Sequence, residues 1–273
     1  MSQAPHRQAS SLLSLLAAAA AGACLFGCAG MPPPPVAARV APAARLPRPA
    51  AKPPSPAKPT PLAFDRVKTT RRVVALTFDC CQTAKPAGYD KRLVSFLTAH
   101  KVPATFFLGG RWIEAHPQTT KALAAVPYFE LENHSYLHPH MNKLTAAQAR
   151  QELVKTQQLL TKQAGRPARF FRPPYGEWNK LVLTEAARAG MAIVTWTVVT
   201  GDPDRHATVK DLMAAFRKSG PGSIIIMHAN GRGWRTADAL PQMLAWLQKH
   251  NLRPVTLAEL VAQGQPGRIQ PHR

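Results

Sequence analysis

A chain of 273 residues with a formal net charge of +21 has room for one sizeable core, and its first quarter is too rich in Ala and Pro to join that core. The length allows one large domain or two small ones, and the composition of the first quarter favours a single folded domain of roughly 200 residues. Residues 1–64 carry six Lys or Arg and no acid, which leaves +15 on the remainder; the folded part attracts polyanions at long range, though charge alone does not choose among nucleic acid, anionic lipid and an acidic cell-wall polymer.

His6 and Arg7 precede an apolar run from Leu12 to about Phe26, too short and too Ala-rich for a transmembrane helix, which reads as an export signal. It ends in Leu25-Phe26-Gly27-Cys28, similar to the bacterial lipobox. Residues 1–28 are therefore expected to be a lipoprotein-type signal peptide, with Cys28 as the acylated first residue of a membrane-anchored, exported protein of the cell envelope. The alternative is an ordinary signal peptide in which this cysteine is incidental. Between Pro32 and Pro61 there are 12 prolines in 30 residues, so residues 29–68 are expected to form an extended polyproline-type linker. An exported protein meets no nucleic acid, and no basic cluster interleaved with aromatics appears.

From Arg71 the texture changes to short β-branched or aromatic runs alternating with amphipathic stretches, the pattern of an α/β fold with a largely parallel sheet. Seven strands are predicted, at 73–78, 104–108, 129–133, 168–172, 192–198, 223–228 and 253–256. Helices are predicted at 90–101, 118–125, 145–164, 180–189, 208–218, 237–250 and 257–263. Thr145 can cap the third of these, and Leu153, Leu159 and Leu160 mark its apolar face. The folded domain is placed at 69–265, with a basic tail at 266–273.

In such folds functional groups collect at the carboxyl ends of strands. Here Asp79 follows the first strand, His134 and His138 the third, Arg172 closes the fourth, Asp202 and Asp204 follow the fifth and His228 ends the sixth. Any one of these is more often a structural residue, but ionisable groups at five strand ends are costly to bury together without a task or a metal. His134 and His138, four apart, can aim two imidazoles at one ion from a helical turn or a tight loop. His140 lies beyond Pro139, which redirects the chain, and is expected to face solvent or to support the pair.

Taken together these residues resemble the polysaccharide deacetylase family, carbohydrate esterase family four, over roughly residues 71–260. Thr77-Phe78-Asp79-Cys80 resembles its first motif, His134-Ser135-Tyr136-Leu137-His138 its second, Arg172-Pro173-Pro174-Tyr175-Gly176 its third and Ile226-Met227-His228 its last. The resemblance implies an irregular (β/α) barrel, TIM-barrel-like, with about seven strands, and a divalent metal, Zn²⁺ first, assisting removal of N- or O-acetyl groups from an acetylated and possibly anionic polysaccharide such as peptidoglycan or an exopolysaccharide. It assigns Asp79 as general base oriented by Arg172, His228 as the acid supported by Asp202, the Tyr175 N–H as an oxyanion donor and Ile226 as a wall of the acetyl pocket. It also makes His134 and His138 metal ligands.

Two positions depart from the pattern. The family's third ligand is the second Asp of the first motif, where this chain has Cys80; Cys80 is the expected replacement, Cys81 the alternative, and strand alternation allows only one of them to face the metal. In the fourth motif Val199 and Pro203 replace Asp and Trp, so Trp196 or Trp234 is expected to supply the missing wall. Glu132 stands where the family usually has Gly. A catalytically degenerate glycan-binding protein is the competing reading, supported by the altered first motif.

Overall fold

The computed structural model describes residues 61–82 and 88–271, so Cys28, the signal segment and the Pro-rich stretch up to residue 60 lie outside the described residues. Ten strands run β1 (Ala63–Lys68), β2 (Val73–Cys80), β3 (Ala104–Leu108), β4 (Phe129–Asn133), β5 (Phe170–Phe171), β6 (Ala192–Val194), β7 (Val198–Val199), β8 (Ile224–His228), β9 (Arg253–Val255) and β10 (Gln265–Arg268). Their order is β10-β1-β6-β5-β4-β3-β2-β8-β7, with β9 paired to β2. All pairings are parallel except β1 with β10. Helices α1 (Lys91–Ala99), α2 (Gly110–Ala115), α3 (Pro117–Ala124), α4 (Ala146–Ala164), α5 (Lys180–Arg188), α6 (Val209–Phe216), α7 (Thr236–Lys249) and α8 (Leu257–Ala262) complete it. The α/β barrel class expected from the sequence is the one observed, and no described helix is long and apolar enough to cross a membrane.

The side chains of β2 show how the barrel places its chemistry. Val74, Leu76, Phe78 and Cys80 pack in the cluster shared with the surrounding helices. Val73 and Ala75 join Phe64, Phe107, Ile224 and Leu257 in a second, interior cluster. Period-two alternation then carries the interior row upward through Thr77 to Asp79 and on to Cys81. Leu257 and Leu260 of α8 close the bottom of this interior, so the polar groups are left at the carboxyl end of the sheet.

Three expectations need correction. The run 192–198 is not one strand: β6 pairs with β5 and β1, whereas β7 pairs with β8. The chain crosses between two parts of the sheet at Thr195-Trp196-Thr197, where the Thr195 N–H donates to Phe64 (3.0 Å) and the Thr197 N–H to Ile224 (2.8 Å). The folded unit also begins earlier than residue 69, because the last residues of the expected linker form β1. That strand reaches across to the start of β8 through a bridge between Arg66 and Ser223 and a Val67 N–H bond to Gly222 (3.0 Å). The expected tail at 266–273 contributes most of β10, whose Pro266 and Gly267 suit only a sheet edge. Helix α2, which was not predicted, is a six-residue turn capped by a glycine with no side-chain bond.

Elsewhere local chemistry and structure agree. Thr145 and Gln148 form a reciprocal capping box at the start of α4, and Gly165 ends it in the left-handed region at φ 75°. Glu132, unexplained by the sequence, points into the barrel: its Oε2 accepts the backbone N–H groups of Arg169 and Phe170, both at 2.7 Å. The side chain thereby pins the segment that delivers β5 and Arg172. Burial, then the neighbouring Glu130, push its carboxyl well above the ordinary range.

Candidate active site

Asp79, Cys81, His134, His138, Asp202 and His228 face a cavity of about 270 Å³ at the carboxyl end of the sheet. Asp79 sits in register with His228 on the neighbouring parallel strand. Its Oδ1 accepts from Arg172 Nη1 at 2.8 Å, and its Oδ2 lies 3.5 Å from His134 Nε2. Burial raises the Asp79 pKa, but the charge of Arg172 and then those of the two histidines outweigh it, so the carboxyl ends below its ordinary value. Arg172 is itself fully buried, with its guanidinium 4.0 Å from the Phe107 ring centre and Nη2 donating to the Thr195 carbonyl at 3.2 Å. A charge sealed in this way cannot swing out to water, which makes the Asp79–Arg172 pair a fixed device.

The structure brings Cys81, not Cys80, to the histidines: the ligand atoms of Cys81, His134 and His138 lie within 4.8 Å of one another. The expectation for Cys80 is corrected by the alternation of β2. The Cys80 side chain leaves on the outer face, 1 % exposed among Phe78, Leu108 and the helices, and burial raises its thiol pKa strongly. Cys81 is one residue past the strand, back on the interior row, where Asn230 Nδ2 donates to its carbonyl (2.9 Å) and approaches its Sγ at 3.3 Å.

His134 and His138 sit on a tight loop rather than a helix. Ser135 and His138 both take positive φ, 62° and 61°, a strained choice for residues with a Cβ. Glu152 of α4 compensates by accepting the N–H groups of Tyr136 (2.8 Å) and Leu137 (2.7 Å), while Ser135 Oγ accepts from His138 N–H (3.1 Å). His134 Nδ1 is 2.8 Å from the Arg172 carbonyl; a carbonyl only accepts, so Nδ1 carries the proton and Nε2 keeps its lone pair for the pocket. Burial, then His134, hold His138 down to about 3, so its ring is neutral at pH 7. Two neutral imidazoles and a soft sulfur suit a divalent cation, although burial pushes the Cys81 thiol up to about 12, so loading a metal requires the thiol to give up its proton.

On the opposite wall His228 is held by Asp202: Nδ1 lies 2.9 Å from Oδ1, and the His228 N–H donates to Oδ2 at 2.7 Å. Thr236 Oγ1 also donates to Oδ2 at 2.7 Å. Burial lowers the His228 pKa, but the Asp202 bond and charge overcome it, and the net shift is upward. Ile226, Pro203, Val199 and Trp196 supply apolar wall. Trp196 therefore takes the place of the missing tryptophan, while Trp234 is 51 % exposed outside this lining. Tyr175, at φ 58° and 58 % exposed, stands at the rim with its ring stacked on His140 at 4.4 Å. Asp204 turns away and accepts from the His206 N–H.

Glu152 and Asn230 were not singled out by the sequence. Glu152 lay beside Leu153 on the buried face of an amphipathic helix, and an acid there was a signal that could have found it; Asn230 offered none.

A carboxylate clamped by a buried arginine, an imidazole clamped by a buried carboxylate and a sulfur–nitrogen donor set, all at the mouth of an α/β barrel, define a hydrolase-type pocket. The polysaccharide deacetylase family profile matches residues 66–194. The chain is 32 % identical over 189 residues to the peptidoglycan-N-acetylglucosamine deacetylase of Bacillus cereus, covering 68 % of this chain and 67 % of that protein. It is also 32 % identical over 173 residues to the uncharacterised protein YlxY of Bacillus subtilis, covering 63 % of this chain and 53 % of YlxY, so it spans only about half of that relative. A carbohydrate esterase family four pseudoenzyme from Bacillus anthracis superposes with a TM-score of 0.67 at 30 % identity, over 74 % of this chain and 69 % of that one; a mutant of it with restored enzymatic activity superposes equally well. The chain belongs to the polysaccharide deacetylase family.

Proposed function

We propose that this protein releases acetate from an acetylated amino-sugar polymer of the cell envelope, peptidoglycan or an exopolysaccharide. The observation that carries this reading is the pair of clamps, Asp79–Arg172 at 2.8 Å and His228–Asp202 at 2.9 Å, which stand side by side in one pocket because Asp79 and His228 end adjacent, in-register strands. A protein that only binds glycans has no need to hold one group ionised as a base and to raise the pKa of a second as an acid.

Asp79, kept ionised by Arg172, takes the proton of the attacking water. The acetyl methyl group lies against Ile226 and Trp196, and the Tyr175 N–H meets the oxyanion as it forms. His228 passes its proton to the departing amine, and Asp202 stabilises the imidazolium and fixes Nε2 toward the pocket. Cys81, His134 and His138 would hold a divalent metal, Zn²⁺ first, which when bound supplies Lewis-acid polarisation of the acetyl carbonyl. The export signal and Cys28 support an anchored protein outside the cytoplasm, and the basic domain suits an anionic glycan.

The test is acetate release by the purified protein from N-acetylated chito-oligosaccharides and from peptidoglycan, with and without added Zn²⁺. Turnover that depends on Asp79 supports the reading; a metal-loaded protein that releases no acetate from either overturns it. The second reading, a glycan-binding pseudoenzyme, is favoured by Cys80 in place of the second acid of the first motif and predicts that last outcome. Detergent-phase partition of the native protein, lost in Cys28→Ala, tests the anchor.

A further inference from the structure

Beside the pocket lies a second cavity of about 610 Å³, within the range of roughly 300–1,000 Å³ usual for small-ligand sites. The two share Tyr175 and Trp196, so a chain occupying one can run into the other past the same two rings. The second cavity lies at the seam of the barrel where the chain crosses from β6 to β7. Its walls include Asp65 of β1 and Gln270 beyond β10, both outside the part of the chain matched by the family profile. Gly176 at φ 71° lets the Trp196 ring close in, since a Cβ there would stand 3.0 Å from the indole. Thr197 Oγ1 donates to the Asp65 carbonyl at 2.6 Å, which ties β1 to this seam.

The charge of the groove runs against that of the protein. In a chain of net charge +21, its lining contains no Lys or Arg and two acids, Asp65 and Glu177, together with Asn142 and Gln270. Glu177 is engaged by His140 Nδ1 at 2.8 Å, whereas Asp65 has no ion-pair partner among the described residues. Aromatic rings suit the C–H faces of pyranoses, amides suit their hydroxyls, and a carboxylate without a cation suits an ammonium group.

We propose that this seam groove is a subsite for the sugar next to the one being deacetylated, and that Asp65 makes it favour an amino sugar already bearing a free amine over its acetylated counterpart. The inference rests on the deacetylase reading for which sugar sits in the pocket, but the groove's own preference is measured by binding. At about pH 6, where such amines are protonated, the full-length protein is titrated calorimetrically with a glucosamine tetramer and with an N-acetylglucosamine tetramer. The glucosamine tetramer is expected to bind more tightly. Asp65→Asn and, at an exposed position, Gln270→Lys are each expected to weaken it by about threefold to fivefold. In both variants binding of the acetylated tetramer should fall less than binding of the glucosamine tetramer, because a neutral acetamide offers the altered charge nothing to meet. A wild-type preference for the acetylated tetramer, or equal loss for both tetramers in the variants, overturns the proposal. Binding that depends on Asp65 without any acetate release from the acetylated disaccharide would leave the subsite standing and remove the deacetylase reading.

Discussion

The two walls of the pocket are built by different means. On one side Asp79, Cys81 and His134 extend an uninterrupted run of parallel strands, β2, β3 and β4, whose register holds over four or five residues at each pairing. On the other side Trp196, Val199 and Asp202 come from a strand broken into a three-residue and a two-residue piece, and their places depend on contacts with β1, β8 and Thr236. The first wall needs geometry that strand alternation provides locally. The second needs the seam of the barrel to be closed before any of its residues has a position.

The sharpest test of this contrast removes the proposed base. Asp79→Asn is expected to lower kcat for acetate release by about three orders of magnitude while leaving bound metal intact by elemental analysis; retained turnover would dissolve the distinction between base and metal site. Next in size is the cysteine pair. Cys81→Ala should lose the metal, with affinity falling at least tenfold. Cys80→Ala should keep the metal and instead lower the melting temperature through a core cavity costing about 1–2 kcal/mol. The reverse result would mean that β2 presents its other face to the pocket.

On the second wall, Asp202→Asn removes the bond and charge that raise the His228 pKa. In the proposed mechanism His228 must be protonated to act as the acid, so activity should fall away at lower pH than in the wild type, with the basic limb of the kcat profile displaced downward. An unmoved limb would show that His228 is not the titrating group. The smallest effect is expected at Glu132. Because Gln keeps an oxygen that can accept both bonds, Glu132→Gln should cost less than about 1 kcal/mol at neutral pH, against about 1–3 kcal/mol for Glu132→Ala, which leaves the two N–H groups without that acceptor. The native-state pKa is raised above 4.5, so the acid's stabilising contribution is lost as pH rises toward that raised value. The Gln variant should therefore gain on the wild type as pH is raised above 4.5.

Much of the first wall was legible in the sequence. β3 and β4 match their predicted bounds, and β2 extends its predicted run by two residues, because β2 and β3 are largely apolar buried runs and β4 alternates Phe129 and Leu131 with Glu130 and Glu132. The residues proposed for base, orienting arginine, acid and histidine pair all meet in one pocket. β1 and β10 escaped notice because one follows a Pro-rich stretch and the other contains Pro and Gly, and neither looks like a strand until an edge is available for it. The outer bounds at 69 and 265 were misplaced for the same reason.

By itself the sequence determined which chemical groups are present, that they lie at strand ends, and that only one of two adjacent cysteines could face a metal. Which cysteine that is depended on the inward row of β2, fixed by packing against β3, β8 and α8, and this gave the place to Cys81. Likewise Trp196 rather than Trp234 reached the pocket because β1 and β8 hold the ends of the crossing that carries it. Alternation is a property of the chain, but its phase is set only when neighbouring strands and helices decide which side is inside.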